Sequence, residues 1–226
     1  SLELYYKSKY IFEILKSKDD LNKSKLFIKK AITLDNQFVE AKTLYGQILH
    51  RLGNFDKAES VLLESQELAS IEKYSQGKSD AYRGLQVLYS DMGQYDKSRF
   101  YIEKAIKIQI KLNNNIFEAR LRLDYANLLN HIGDLQLSIE QNKQAISLLK
   151  ELEEERLIGI SSAVLHNIYY TMFMYNDAIK HGKIALSIFK KLEMQSYEGR
   201  IIVLMAETYS CIGNFNVMND LLNDSK

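Results

Sequence analysis

The six residues Gly53-Asn54-Phe55-Asp56-Lys57-Ala58 recur as Gly93-Gln94-Tyr95-Asp96-Lys97-Ser98 and again as Gly133-Asp134-Leu135-Gln136-Leu137-Ser138. Weaker copies follow at Phe173-Met174-Tyr175-Asn176-Asp177-Ala178 and Gly213-Asn214-Phe215-Asn216-Val217-Met218, so five copies keep a constant 40-residue register. A degenerate copy, Asp19-Asp20-Leu21-Asn22-Lys23-Ser24, stands 34 residues before Gly53. A fixed period of this length marks a repeat array, in which each unit is one supersecondary element that buries its apolar face only against its neighbours.

The residues around each copy read as helix. Upstream of Gly93, Leu85, Leu88, Tyr89 and Met92 fall at i, i+3, i+4 and i+7, one face of an α-helix. Downstream, Tyr95, Ser98, Ile102, Ala105 and Ile106 form a second stripe. The glycine sits where the first helix stops and the chain reverses, a place that favours the left-handed conformation. The Asn, Gln or Asp after it helps start the next helix. The 226 residues contain no proline, where ordinary usage would supply roughly eleven, and ten glycines are too few for the turns of a β-rich chain. With 46% apolar and 26% charged residues the chain is globular in composition. The expectation is an all-α array of twelve helices, over 2–17 and 20–34, 36–52 and 55–72, 75–92 and 95–112, 115–132 and 135–152, 155–172 and 175–192, and 195–212 with a short 215–223.

The repeated positions resemble the tetratricopeptide repeat family. A small residue is expected seven positions before the turn glycine, where Gly46, Gln86, Ala126, His166 and Ala206 stand. A large one is expected four before it, at Leu49, Tyr89, Leu129, Tyr169 and Tyr209. Small residues recur five after it, at Ala58, Ser98, Ser138 and Ala178, and twelve after it, at Ser65, Ala105, Ala145 and Ala185. The resemblance covers essentially the whole chain, although the family's tryptophan and proline are absent and the later units are 40 residues long rather than 34. The six extra residues lengthen each hairpin by about 1.7 helical turns. Gln86 and His166 are bulky for a close-approach position, so the third and fifth hairpins are expected to pack more loosely. The resemblance implies one right-handed superhelical solenoid over residues 1–226, with repeats at about 1–34, 35–74, 75–114, 115–154 and 155–194 and an incomplete one at 195–226. Lacking an initiator Met, the chain is expected to be a piece of a longer protein. Leu221 and Leu222, at its incomplete last hairpin, suggest a homodimer contact through an open end.

In this family the first helices of successive hairpins line a concave groove. The positions six, three and two before the turn glycine supply Gln47, Asn127, Asn167 and Glu207, then Asn130 and Tyr170, then Arg51 and His131. Ten before it stand Arg83, Leu123, Ala163 and Val203. Asn127 and Asn167 are equivalent in adjacent hairpins, and Asn130 lies one turn beyond the first. A carboxamide offers both donor and acceptor, so it can pair with a peptide unit of an extended chain whatever that chain's side chains. Arg51, Arg83 and Lys16 are expected to favour acidic groups towards the N-terminal half.

Other chemistries find little support in the residues. Thirty Lys and Arg against 29 Asp and Glu give a net charge of +1, without the basic excess of a nucleic-acid binder. The single Cys211 cannot form an intramolecular disulfide or a cysteine-rich zinc site. The histidines, His50, His131, His166 and His181, form no HExxH, and the glycines form no phosphate loop. No apolar run approaches the roughly 20 residues of a membrane helix, and the N-terminus lacks the regions of a signal peptide. The expectation is a cytoplasmic, non-catalytic module without cofactor or metal that binds a protein or peptide, acting as the sensory or regulatory segment of a larger bacterial signalling protein. A peptide-pheromone receptor or a self-associating scaffold is the alternative.

Overall fold

The computed structural model describes residues 1–14 and 17–223. Among the described residues there are twelve α-helices and no strand. They are α1 (Leu2–Ile14), α2 (Lys18–Leu34), α3 (Val39–Arg51), α4 (Phe55–Ile71), α5 (Ser75–Asp91), α6 (Tyr95–Lys111), α7 (Asn115–Ile132), α8 (Leu135–Glu151), α9 (Glu155–Thr171), α10 (Tyr175–Lys191), α11 (Gln195–Cys211) and α12 (Phe215–Asn223). Two starts differ from expectation for local reasons. The α2 helix begins at Lys18, because the Ser17 hydroxyl accepts the Asp20 amide at 3.1 Å and caps it. The α3 helix begins only at Val39, because the Asp35 carboxylate accepts the Gln37 amide at 3.1 Å and holds the preceding residues in a turn.

The glycines of the repeated segment adopt the left-handed conformation at Gly53, Gly93, Gly133 and Gly213, with φ between 70° and 85°. At Gly93 the amide donates to the Ser90 carbonyl and the next amide, of Gln94, to the Tyr89 carbonyl, so the last carbonyls of α5 are satisfied by a Schellman turn. The same paired bonds close α9 at Phe173, whose φ is 60° although it carries a side chain. They also close α4, α6, α8 and α10 at Lys73, Asn113, Glu153 and Glu193. A left-handed turn therefore falls every 20 residues, and the repeated hexapeptide marks only alternate ones. An L-residue in this conformation costs about 1–2 kcal/mol, partly offset on replacement by glycine's larger unfolded entropy. Phe173→Gly is expected to stabilise the fold by about 0.5–1 kcal/mol, read as a higher urea midpoint with unchanged slope; the Phe173 ring, 77% exposed, contributes little packing.

The chain packs as two compact units, residues 1–114 and 115–226. In the first, the hairpins α1/α2, α3/α4 and α5/α6 stack through α2 on α3, α4 on α5 and α3 on α5. Phe12, Leu21, Ile28, Leu44, Leu62 and Leu88 lie in its continuous core. In the second, α7/α8, α9/α10 and α11/α12 stack in the same manner, around Ala145, Leu149, Leu165, Ile168, Phe189 and Met205. Leu221 packs onto the last of these clusters, whereas Leu222 is 38% exposed.

The close-approach positions are fully buried at Ala58, Ser98, Ser138 and Ala178. The serines there donate across the hairpin, Ser98 to the Gln86 carbonyl at 2.9 Å and Ser138 to the Ala126 carbonyl at 2.7 Å. In the fifth hairpin the bond is reversed: His166 Nδ1 donates to the Ala178 carbonyl at 2.8 Å, leaving Nε2 to accept from Thr208 at 3.2 Å. Burial holds His166 below the ordinary imidazole pKa and keeps it neutral.

The fifth hairpin is consequently well filled rather than loose. A Cβ added at Gly182 of α10 would lie 2.8 Å from His166 Nδ1. The second hairpin shows the converse, since a Cβ at Gly46 would lie 2.5 Å from Leu62 Cγ. Gly46 and His166 are repeat equivalents, as are Leu62 and Gly182, so the bulk has exchanged sides while the interhelical space stays filled. Gln86, in the third hairpin, is also buried, with its amide 3.4 Å from the Ser98 hydroxyl.

Candidate functional site

The first helices of the second unit carry a groove of about 420 Å³. Asn127 and Asn130 of α7 and Asn167 of α9 line it together, as the repeat register requires. Its floor is apolar, from Ile160, Ala163, Val164 and Leu204, with Phe189 of α10 beneath. Asn127 and Asn167 are exposed and Asn130 is half-buried, so the carboxamides stand at the wet margin of a greasy trough. Such a surface can pair with the backbone of an extended chain while accepting its apolar side chains.

Tyr197 and Arg200 of α11 complete the groove and were not among the residues expected from sequence. Arg200 stands thirteen residues before Gly213, one heptad step back from the position of Asn167. Sampling at ten, six, three and two before the glycine omits it, although the 17-residue first helix extends the face by that step. A guanidinium beside carboxamides favours an acidic side chain or a chain terminus.

Tyr170 and Glu207 lie one turn farther along and line a second cavity of about 410 Å³ with Val203, Cys211, Met218 and Leu222. The Tyr170 hydroxyl is 3.6 Å from Cys211 Sγ, which places the thiol on an exposed edge. His131 is exposed and lines neither cavity.

Gln47, Arg51 and Arg83 belong to the first unit. Arg51 is exposed, and its guanidinium lies 3.7 Å over the centre of the Phe12 ring and donates to the Phe12 carbonyl at 2.9 Å, tying α3 to α1. Arg83 interacts with Asp80, whose carboxyl burial raises above its usual pKa and whose Oδ1 accepts from Gln76 at 3.0 Å. Glu40, the repeat equivalent of Asp80, accepts the Tyr74 hydroxyl at 2.8 Å. His50 and Asp91 bond to one another at 2.7 Å. Gln47 is half-buried. Lys16 lies outside the described residues. Glu40 and Asp80 stand at equivalent repeat positions in the first unit, where Arg120 and Arg200 stand in the second.

Among the described residues no cluster of His, Cys, Asp and Glu could hold a metal ion, and no helix is long and apolar enough to cross a membrane.

Residues 38–111 match the family model for the tetratricopeptide repeat. No curated protein matches the chain significantly in sequence. Solved structures share its fold at low identity. The signal transduction ATPase with numerous domains carrying a tetratricopeptide repeat sensor, from Pyrococcus horikoshii, aligns with a TM-score of 0.87 at 17% identity, over 98% of this chain and 35% of that one. BtubC from P. vanneervenii aligns with a TM-score of 0.79 at 18% identity, over 92% and 87%. The apo form of RapI aligns with a TM-score of 0.79 at 20% identity, over 99% and 64%. The chain thus spans about a third of the first of these and less than two thirds of the last. The family's repeat is thus matched over residues 38–111, and the hairpins on either side share the fold of these tetratricopeptide-repeat structures.

Proposed function

We propose that the second unit is a non-catalytic docking module that holds an extended peptide segment in the groove of α7, α9 and α11. The observation that carries this reading is the convergence of Asn127, Asn130 and Asn167 over one apolar floor. The carboxamides pair with successive peptide units, Ala163, Val164 and Leu204 receive alternate side chains, and Arg200 selects an acidic group. In a longer protein this module serves as a sensory or regulatory segment, a reading supported by the similarity to a chain described as carrying a tetratricopeptide repeat sensor.

Each carboxamide contact desolvated on binding contributes about 1–3 kcal/mol, and 1.4 kcal/mol is tenfold in affinity. Random nonapeptides displayed on phage and selected on the intact chain supply the probes, with affinities read by fluorescence polarisation. Asn127→Ala and Asn167→Ala are each expected to weaken the selected peptides roughly tenfold, and Arg200→Gln to weaken those bearing an acidic residue. Selected peptides that bind all three variants as tightly as the parent would overturn the reading.

A further inference from the structure

A different cavity lies in the first unit, where α5 and α6 pack side by side. It has a volume of about 410 Å³ and is lined by four lysines, Lys78 of α5 and Lys104, Lys107 and Lys111 of α6. Tyr82, Ile108 and Leu112 give it an apolar wall, and no carboxylate lines it. Among the described residues none of the four lysines forms an ion pair, although Lys78 and Lys104 lie 5.9 Å and 5.2 Å over the Tyr82 and Phe100 rings, whereas Lys7, Lys9, Lys23 and Lys42 of the same unit each meet a carboxylate. The chain as a whole is nearly neutral, so this is a local excess of positive charge.

The α6 lysines stand at i, i+3 and i+7, on one face, where like charges repel. The negative end of the α6 dipole accounts for Lys111, in the last turn. It does not account for Lys78, which lies in the first turn of α5, against the positive end of that helix. The N-cap residue there, Tyr74, provides no side-chain hydrogen bond, and no acidic residue occupies that first turn.

We propose that this cavity binds a nucleoside polyphosphate, with the phosphates held by the four ammonium groups and the base laid against Tyr82, Ile108 and Leu112. Ammonium groups bind phosphate as point charges, and an aromatic ring offers a stacking surface to any base. The volume falls within the range of small-ligand sites. A bare inorganic anion would leave the apolar wall unused. An extended peptide would find no carboxamide in the lining with which to pair its backbone. Binding alone is proposed, with no bond made or broken.

Isothermal titration of the intact chain with ATP, AMP and inorganic tripolyphosphate tests the site. ATP is expected to bind saturably and more tightly than AMP, and to weaken at least threefold between 50 and 200 mM salt as the charges are screened. The double variant Lys78→Glu/Lys107→Glu should lose at least tenfold in ATP affinity. Lys29→Glu/Lys30→Glu, on the exposed face of α2, should change it less than twofold. Tyr82→Leu should weaken ATP at least threefold while leaving tripolyphosphate unchanged, and the retained tripolyphosphate binding shows that the variant is folded. The proposal is overturned if wild-type protein shows no saturable ATP binding, if the α2 control loses as much as the cavity variant, or if tripolyphosphate binds as tightly as ATP and Tyr82→Leu affects neither.

Discussion

Leu62→Ala is expected to destabilise the first unit by ~2–5 kcal/mol, the range for emptying a leucine site in a core that relaxes only in part. Leu62 is fully buried in α4 and is framed by two glycines. Added Cβ atoms at Gly46 and Gly84 would lie 2.5 Å from its Cγ and 2.7 Å from its Cδ2. The backbones of α3 and α5 therefore approach this one side chain more closely than any other residue type would permit. Gly46→Ala alone should also destabilise, because overpacking against Leu62 outweighs the ~1 kcal/mol of helix propensity that alanine supplies. In the Leu62→Ala background the same substitution should stabilise, because its methyl group enters the vacated space. Urea denaturation of the four proteins, with amide exchange in α3 to α6 as a local readout, measures this cycle. A destabilising Gly46→Ala in both backgrounds would show that the space does not belong to the pair.

Gly182→Leu is expected to cost the second unit about 3 kcal/mol, at the upper end for overpacking. A Cβ at this position already meets His166 Nδ1 and Met205 Cγ at 2.8 Å each. A leucine there displaces the imidazole from the Ala178 carbonyl and leaves buried polar groups without partners. His166→Ala/Gly182→Leu recreates the small-large arrangement of Gly46 and Leu62, and the Thr208 hydroxyl, with the imidazole gone, donates to the Leu204 carbonyl 2.9 Å away. This double variant should recover at least half of the loss in denaturation midpoint. A double variant less stable than Gly182→Leu would sink the idea that the two hairpins have exchanged the same volume.

These cases show where sequence reading succeeds and where it stops. The 40-residue recurrence, the absence of proline and the apolar stripes are local properties, and they specify helices, their lengths and alternate turns. The carboxamides Asn127, Asn130 and Asn167 were legible because repeat register alone brings equivalent positions of neighbouring hairpins to one face. Arg200 was not singled out, because its place depends on how far the lengthened helices carry that face. The turns at Lys73, Glu153 and Glu193 carry no glycine, and their left-handed residues are held by bonds to the helix they terminate.

Tertiary structure alone decided the fate of side chains whose partners are distant in sequence. Arg51 is tied to Phe12, a residue of another hairpin, by a contact that no spacing in the sequence announces. His166 reads as an obstacle to close packing until Gly182 is seen to make room for it. Helix packing gathers four lysines of α5 and α6, up to 33 residues apart in sequence, around one cavity. Periodicity is written residue by residue along the chain, and so the sequence by itself determined the helices and the order of their stacking. Which polar groups remain available to a ligand depends on pairwise distances between hairpins, and those distances exist only once the core has closed.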